Sequence, residues 1–304
     1  MTGRAWGALA TLYVVWGSTY LGIMLAIRTM PPFLMSAARF LVAGGLLFAI
    51  SPPRRERLGV RAWVAALIAG GALLTVGNGG ITWAEQRVDS GVAALLVATM
   101  PLWLALFDRV VFGTRLSVAG WAGLLVGLGG VALLVSPGGG GAGTDLVGGL
   151  VCVLAAAAWA AGSLYSRHAP LPSQPMLASG MEMVAGGALL AVVGLVAGEG
   201  GQVHLSHVSV ESALALAYLV VVGSVVAFSA FHWLLRSAPT SIVSTYAYVN
   251  PVVAVLLGAA FLGEPMTLRT LVAGLAIVAS VVLIVGARMR VPRLRTLVPA
   301  RHTA

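Results

Sequence analysis

The chain has 304 residues, 59% of them hydrophobic and only 9% charged, with a mean hydropathy of +0.99. Soluble domains carry about 25% charged residues, so this composition excludes water as the main solvent. The net charge of +9 comes from 18 basic residues, all arginine, against 9 acidic ones, but they are scattered between apolar runs and form no compact patch of the kind nucleic acid requires.

Crossing about 30 Å of hydrocarbon takes about 20 apolar residues, and within it only helices or closed barrels satisfy their own backbone. Runs of that length fall near 5–27, 32–50, 62–83, 90–112, 117–136, 147–166, 175–197, 211–234, 240–262 and 267–287. They predict an all-α integral membrane protein of ten transmembrane helices. The first run is too long for a signal peptide's apolar region and leads into Arg28, so it is expected to remain as a span. Pro31-Pro32, Pro52-Pro53, Pro137, Pro170, Pro172 and Pro265 punctuate the boundaries, and Gly138 to Gly143 reads as a linker between halves. The expected division is a first five-helix repeat over 1–143 and a second over 144–304 that ends in a basic tail. Cys152, the single cysteine, lies inside an apolar run and reads as a small buried side chain, which leaves no intrachain disulfide or cysteine metal cluster.

Self-comparison supports the division. At an offset of 150 residues, Trp83 pairs with Trp233, Ser90 with Thr240, Pro101 with Pro251 and Gly113 with Gly263. Earlier spans align at a slightly smaller offset, Trp16 with Trp159 and Val42-Ala-Gly-Gly with Val184-Ala-Gly-Gly. Five is an odd number, so two halves of one fold must enter the bilayer from opposite sides. Counting loop arginines sets the orientation. The N-terminal side collects residues such as Arg4, Arg54, Arg55, Arg57, Arg61, Arg167, Arg236 and the C-terminal arginines, and the other side holds only Arg28, Arg87 and Arg269. Both termini are expected in the cytoplasm of a multi-pass protein of the cytoplasmic membrane.

Polar residues inside apolar spans carry the functional information, because each costs free energy unless it meets a partner or water. On the first span, Tyr13, Trp16 and Tyr20 fall on one face with Thr19 beside Trp16, a stripe that suits a cavity wall or interhelical packing equally. On the third, Thr75, Asn78, Thr82 and Glu85 form a continuous polar stripe that lipid would reject, which points to a wet pathway. Thr99 and Trp103 flank Pro101 on the fourth span, and Tyr246 and Asn250 precede Pro251 on the ninth. A proline frees a carbonyl one turn earlier, so both prolines are expected at kinks beside a central site. Trp159 and Ser163 on the sixth span and Ser224, Phe228 and His232 at four-residue spacing on the eighth complete the candidates. His232 suits proton coupling or an ordinary interfacial hydrogen bond. Arg39 and Glu182 are ionisable residues well within spans, toward the outer and inner halves respectively. Glu85 is nearer Arg39 in depth, and Arg109 or Arg167 nearer Glu182. Such pairs would serve as gates or as static ion pairs.

Val15-Trp16-Gly17-Ser18-Thr19-Tyr20, Ala38-Arg39-Phe40-Leu41 with Ala43-Gly44, Pro101, and Tyr248-Val249-Asn250-Pro251 leading to Gly263-Glu264 together resemble the drug/metabolite transporter superfamily. Within it, the chain resembles the EamA family of ten-helix bacterial exporters over nearly its whole length. Gly113-Thr114 departs from the second half's Gly263-Glu264, so any role of that glutamate is not duplicated. The resemblance implies export of small metabolites, with amino acids and drugs as the known range. The reading is a secondary transporter working by alternating access, without cofactor or metal and without a Walker A cradle, with membrane lipids and a small-molecule substrate as partners, no nucleic acid, and a monomer or homodimer. The rivals are an intramembrane enzyme and a non-transporting scaffold subunit.

Overall fold

The computed structural model describes residues 2–51, 58–113, 117–135, 145–237 and 245–290, apart from the side chains of Val135, His232, Leu235, Arg236, Tyr248, Ile284, Val285 and residues 287–290. Regular structure among them is helical. In chain order the helices are α1 (Gly3–Ala26), α2 (Pro32–Ile50), α3 (Val60–Ala84), α4 (Ser90–Phe112), α5 (Val118–Val135), α6 (Leu146–Ser166) and α7 (Pro175–Val196). Then come α8, made of Val210–Tyr218, Leu219–Val226 and Ala227–Ser237 end to end, α9, made of Tyr246–Leu257 and Gly258–Leu262, and α10 (Leu268–Arg290). Seven are long and apolar enough to cross a membrane, and α5, α9 and α10 contribute shorter apolar stretches. The sequence boundaries agree closely, except that residues 240–244 of the expected ninth span, like the Gly138 to Gly143 linker, lie outside the described residues.

Local chemistry explains the ends. Pro32 and Pro175 occupy first-turn positions, where a missing N–H costs nothing. Gly113 and Gly263, which are repeat mates, close α4 and α9 in the left-handed region at φ +66° and +67°. The middle of α3 (Gly71–Asn78) and the middle of α8 (Leu219–Val226) widen into π-helical turns at corresponding places in the two halves. Such turns free backbone groups and are frequent beside functional sites.

The packing runs between the halves. α2 lies mainly on α7 and α5 on α10, while α6 packs on α3 and α4, and α1 on α8 and α9. Advancing every helix by five places maps these neighbours onto themselves. Close crossings use glycine, as expected where lipid leaves packing to hold helices together. A Cβ at Gly44 would lie 2.8 Å from Val184 and 2.9 Å from the Gly180 carbonyl, and one at Gly70 only 2.3 Å from the Glu182 carbonyl. Gly127 and Gly130 do the same for α5 against α10.

Exposed and buried chemistry are reversed relative to a soluble protein. Leucines such as Leu125, Leu154 and Leu195 stand on the outside, more than 60% exposed, while Arg39, Asn78, Thr82, Glu85, Thr99 and Ser224 are buried. That distribution suits a lipid surround, since polar groups facing hydrocarbon are the costly ones.

Candidate functional site

The polar face of α3 meets α2. Ser36 donates its hydroxyl proton to Thr82 Oγ1 at 3.1 Å, and Thr82 donates to the Asn78 carbonyl at 3.0 Å. Lower down, the π-helical turn rotates Thr75 away, and its hydroxyl donates to the Gly186 carbonyl of α7 at 3.1 Å. The stripe read as continuous therefore divides. Thr82 meets α2 and is bonded back to Asn78, and Thr75 belongs to the contact with α7. The glycines around Asn78 pack against neighbours, Gly77 on Trp159 and Gly79 on Leu190.

Arg39, only 4% exposed, donates from Nε to Ser224 Oγ of α8 at 3.1 Å, and its guanidinium lies 4.9 Å from the Phe40 ring centre. Ser224 in turn donates to the Leu219 carbonyl five residues back, a span that the π-helical turn permits. Gly223 of α8 lets Thr19 of α1 and Arg39 approach closely: a Cβ there would stand 3.2 Å from Thr19 and 3.6 Å from Arg39. Arg39 Nη1 donates to nothing. Glu85, 2% exposed at the end of α3, has neither carboxylate oxygen hydrogen-bonded. Arg39, Glu264 and Tyr20 of α1 all lie within electrostatic range of Glu85. No ion pair joins Arg39 to Glu85: among the described residues the ion pairs are Arg28 with Glu211 and Arg87 with Asp145.

Glu182 has a different partner from those its depth suggested. Ser166, the last residue of α6, donates to its carboxylate at 2.6 Å, and Arg109 lies over the Trp121 ring instead. A helix end supplies what loop arginines were expected to supply, because Glu182 sits where α6 stops.

Around the middle of α1 the aromatic candidates converge. Trp16 stands 5.0 Å from Tyr246, 5.6 Å from Phe228 and 5.3 Å from Phe231, and Phe231 stands 6.0 Å from Tyr246, mostly edge to face. Tyr13, one turn before Trp16, hydrogen-bonds Thr245 at the start of α9. Phe231 was overlooked, although its place three residues after Phe228 puts both on one helix face. Trp103 is not in this group; its ring contact is Phe107 on the next turn. Trp159 covers Gly77, and Ser163 is half-buried on α6. The His232 side chain lies outside the described residues.

Around Pro101 and Pro251 the two halves differ. α4 is interrupted at Ala98 and Thr99, just before Pro101, with the Thr99 hydroxyl donating to the Leu96 carbonyl at 2.6 Å. α9 runs unbroken through Pro251 from Tyr246 to Leu257. One residue before Pro251, Asn250 buries its side-chain oxygen with no donor to it, and its backbone carbonyl lies 3.1 Å from where a Cβ on Gly17 of α1 would stand.

One end of the bundle is tied by carboxylates that the sequence left without roles. Glu264 accepts from the Ser90 and Gly91 N–H groups at 2.7 and 2.9 Å, satisfying the start of α4. Glu199 accepts from Phe33 and Leu34 at 3.1 and 2.8 Å at the start of α2. Asp145 caps α6 through Val147 at 2.8 Å and also takes Arg87 at 3.0 Å, which holds its exposed carboxyl below the usual range. First-turn N–H groups have no partner within their own helix, and the helix dipole favours an anion there. Glu199 and Glu264 both reach from the second half of the chain to the first.

Comparison with known proteins agrees with this architecture. A model of the EamA-like transporter family matches residues 3–136 and again 146–286. The chain belongs to the EamA-like transporter family. An uncharacterized inner membrane transporter of Escherichia coli K12, YedA, is 39% identical over 284 residues, covering 92% of this chain and 90% of its own. A probable amino-acid metabolite efflux pump of Salmonella typhimurium is 25% identical over 300 residues, 93% of this chain and 96% of its own. A solved crystal structure superposes with a TM-score of 0.62 over 96% of this chain and 100% of its own at 21% identity, a likeness of fold. As an EamA-like protein the chain is a multi-pass membrane transporter for small molecules, and family and relatives point away from an enzyme.

Proposed function

We propose that this EamA-like protein is a secondary transporter of the cytoplasmic membrane that exports small metabolites, amino acids or amphipathic drugs, by exposing a central site alternately to each side. The single observation that carries the reading is the set of buried, unpartnered polar atoms, on Arg39, Glu85, Ser90 and Asn250, among helices of both halves. Leaving such groups buried without partners costs free energy, which a passing polar substrate relieves.

The finer architecture belongs to the same proposal. Ten helices cross the membrane as two inverted five-helix repeats, 1–143 and 144–304, with both termini in the cytoplasm. The neighbour exchange under a five-helix shift and the two stretches of family match support the repeats. Arg28 meeting Glu211, Arg87 meeting Asp145 and Arg269 meeting the carbonyls of Leu133 and Leu134 support a common side for those six loops and helix ends. The substrate-facing residues in this reading are Trp16, Thr19, Tyr20, Asn78, Thr82, Tyr246 and Asn250, with Phe228 and Phe231 completing an aromatic floor. No nucleic acid takes part, and the working unit is a monomer or homodimer.

Purified protein in liposomes, loaded with radiolabelled amino acids and cationic dyes in turn, tests the function directly. Wild-type protein is expected to release at least one of them down its gradient, with Trp16→Ala and Asn250→Ala each slowing release at least about tenfold, the loss of one anchoring contact. Release unchanged in both variants would remove the site; no release of any compound would remove the function.

A further inference from the structure

Resting on the transporter reading above, one contact between the halves bears on how the cycle is gated. The end of α9 and the start of α4 meet at backbone distance. A Cβ at Gly91 would stand 3.1 Å from the Val255 Cα, and one at Gly258 would collide with the Glu264 carboxylate. In the room those two glycines leave, Glu264 accepts from the Ser90 N–H at 2.7 Å and from the Gly91 N–H at 2.9 Å, one to each oxygen. The Glu264 N–H donates to the Gly258 carbonyl at 3.2 Å, which fixes the turn that carries the carboxylate. Ser90 and Gly91 are buried, so the clamp seals this end of the α4–α9 contact.

The sequence does not repeat the clamp at the opposite ends of the same helices. At the 150-residue offset Ser90 is matched by Thr240 and Glu264 by Thr114, which has no carboxylate, while Gly91 and Gly258 are matched by Ser241 and Asp108, neither of them a glycine. In two inverted repeats, opening one end of the bundle closes the other as the halves exchange conformations. Two hydrogen bonds to an ionised acceptor, stronger than neutral ones, therefore favour closure at one end alone, the end assigned to the outside.

We infer that the Glu264 carboxylate is the latch of the outer gate: it holds α4 to α9 while the site is shut off from the outside, and it must release Ser90 and Gly91 each time the site opens outward. Because the latch is one-sided, the protein rests with its outer end closed and loads from the cytoplasm. Glu264 is a positioning residue, acting on the substrate's path through the α4 backbone. A carboxylate that merely capped α4 would stay bonded throughout transport, whereas a latch has to break in every cycle.

The test replaces the carboxylate by a bond that can be opened at will. Ser90→Cys, Gly258→Cys and Glu264→Ala are combined in the full-length protein, the last clearing room for the new side chain at 258. A Cβ at Gly258 would stand 3.0 Å from Ser90 Oγ, within the spacing a disulfide bridges. Oxidation with copper–phenanthroline is expected to join the two thiols and to stop release from liposomes of the amino acid or cationic dye that the wild-type protein releases, and dithiothreitol to restore it. Release by the oxidised form as fast as by the reduced form overturns the latch, as does failure of the disulfide to form. Should the triple variant not fold, Glu264→Gln is compared with Glu264 in a Ser90→Cys background. An impermeant maleimide should then label position 90 from outside roughly tenfold faster in the glutamine variant, the loss of a charge-assisted hydrogen bond. Ser280→Cys, equally buried where α10 crosses α5 at Gly127, should label no faster. Equal rates at position 90, or matching rises at both positions, overturn the latch. A wild-type protein that releases nothing removes the transporter reading and the latch with it, whereas release that persists through the oxidised bond removes the latch alone.

Discussion

Asp89 shows how one acid's surroundings set a measurable pH dependence. It precedes the first residue of α4, half-buried, with the Glu264 carboxylate nearby. Burial first, and then repulsion from Glu264, raise its carboxyl from the usual 3.8 to about 6. A raised acid favours the proton-bound folded state, so its contribution is complete below the unfolded value and is lost as pH rises through about 6. Asp89→Asn should therefore be more thermostable than wild type at pH 7 to 8, with the two melting temperatures converging toward pH 4. Parallel melting curves across that range would show that Asp89 carries no such burden. Glu264 itself illustrates a residue whose importance was visible and whose role was not. Its place after a left-handed glycine said that the chain turns back there, but the N–H groups it meets belong to residues 173 and 174 positions away.

Helix crossings are decided by single hydrogens. Gly44 and Gly45 are neighbours on α2 with opposite surroundings: a Cβ at Gly44 meets Val184 and the Gly180 carbonyl below 3.0 Å, and one at Gly45 meets nothing within 4 Å. Gly44→Ala should lower stability by about 1–3 kcal/mol through overpacking of α2 on α7, and Gly45→Ala should leave it unchanged or raise it slightly through helix propensity. Chemical denaturation in detergent compares them, and equal stabilities would mean that the α2–α7 crossing is looser than described. The Val42-Ala-Gly-Gly and Val184-Ala-Gly-Gly pair, found as a repeat signal, thus marks the two sides of one contact, since Gly44 meets Val184 and Gly187 meets Leu41. The π-helical turns of α3 and α8 had no such signature. They depend on what neighbouring helices press against them, and glycine or valine content does not encode that.

For the whole molecule the topology can be read from labelling, because Cys152 is fully buried and contributes little background. Cysteines introduced at Gln202, after α7, and at Arg167, after α6, should behave oppositely in intact cells. The proposed orientation has Gln202 modified by an impermeant maleimide from outside and Arg167 modified only after the membrane is opened. Both labelled from the same side would end the inverted arrangement.

The positions of the apolar helices, their proline and glycine boundaries and the twofold recurrence of Trp, Pro and Gly were determined by the sequence alone. Hydrocarbon makes every exposed polar group costly, so the limits of each helix are written along the chain itself. The side facing inward on α1 and α3 was legible too, from spacing. What each face meets was decided only by tertiary structure. Arg39 bonding Ser224 185 residues away, Glu199 bonding Leu34 165 away, and Trp16 enclosed by α8 and α9 are contacts between distant segments. Helical periodicity reports the direction of a side chain but not its partner, and the partner determines whether a buried charge is neutralised, caps a helix or waits for a ligand.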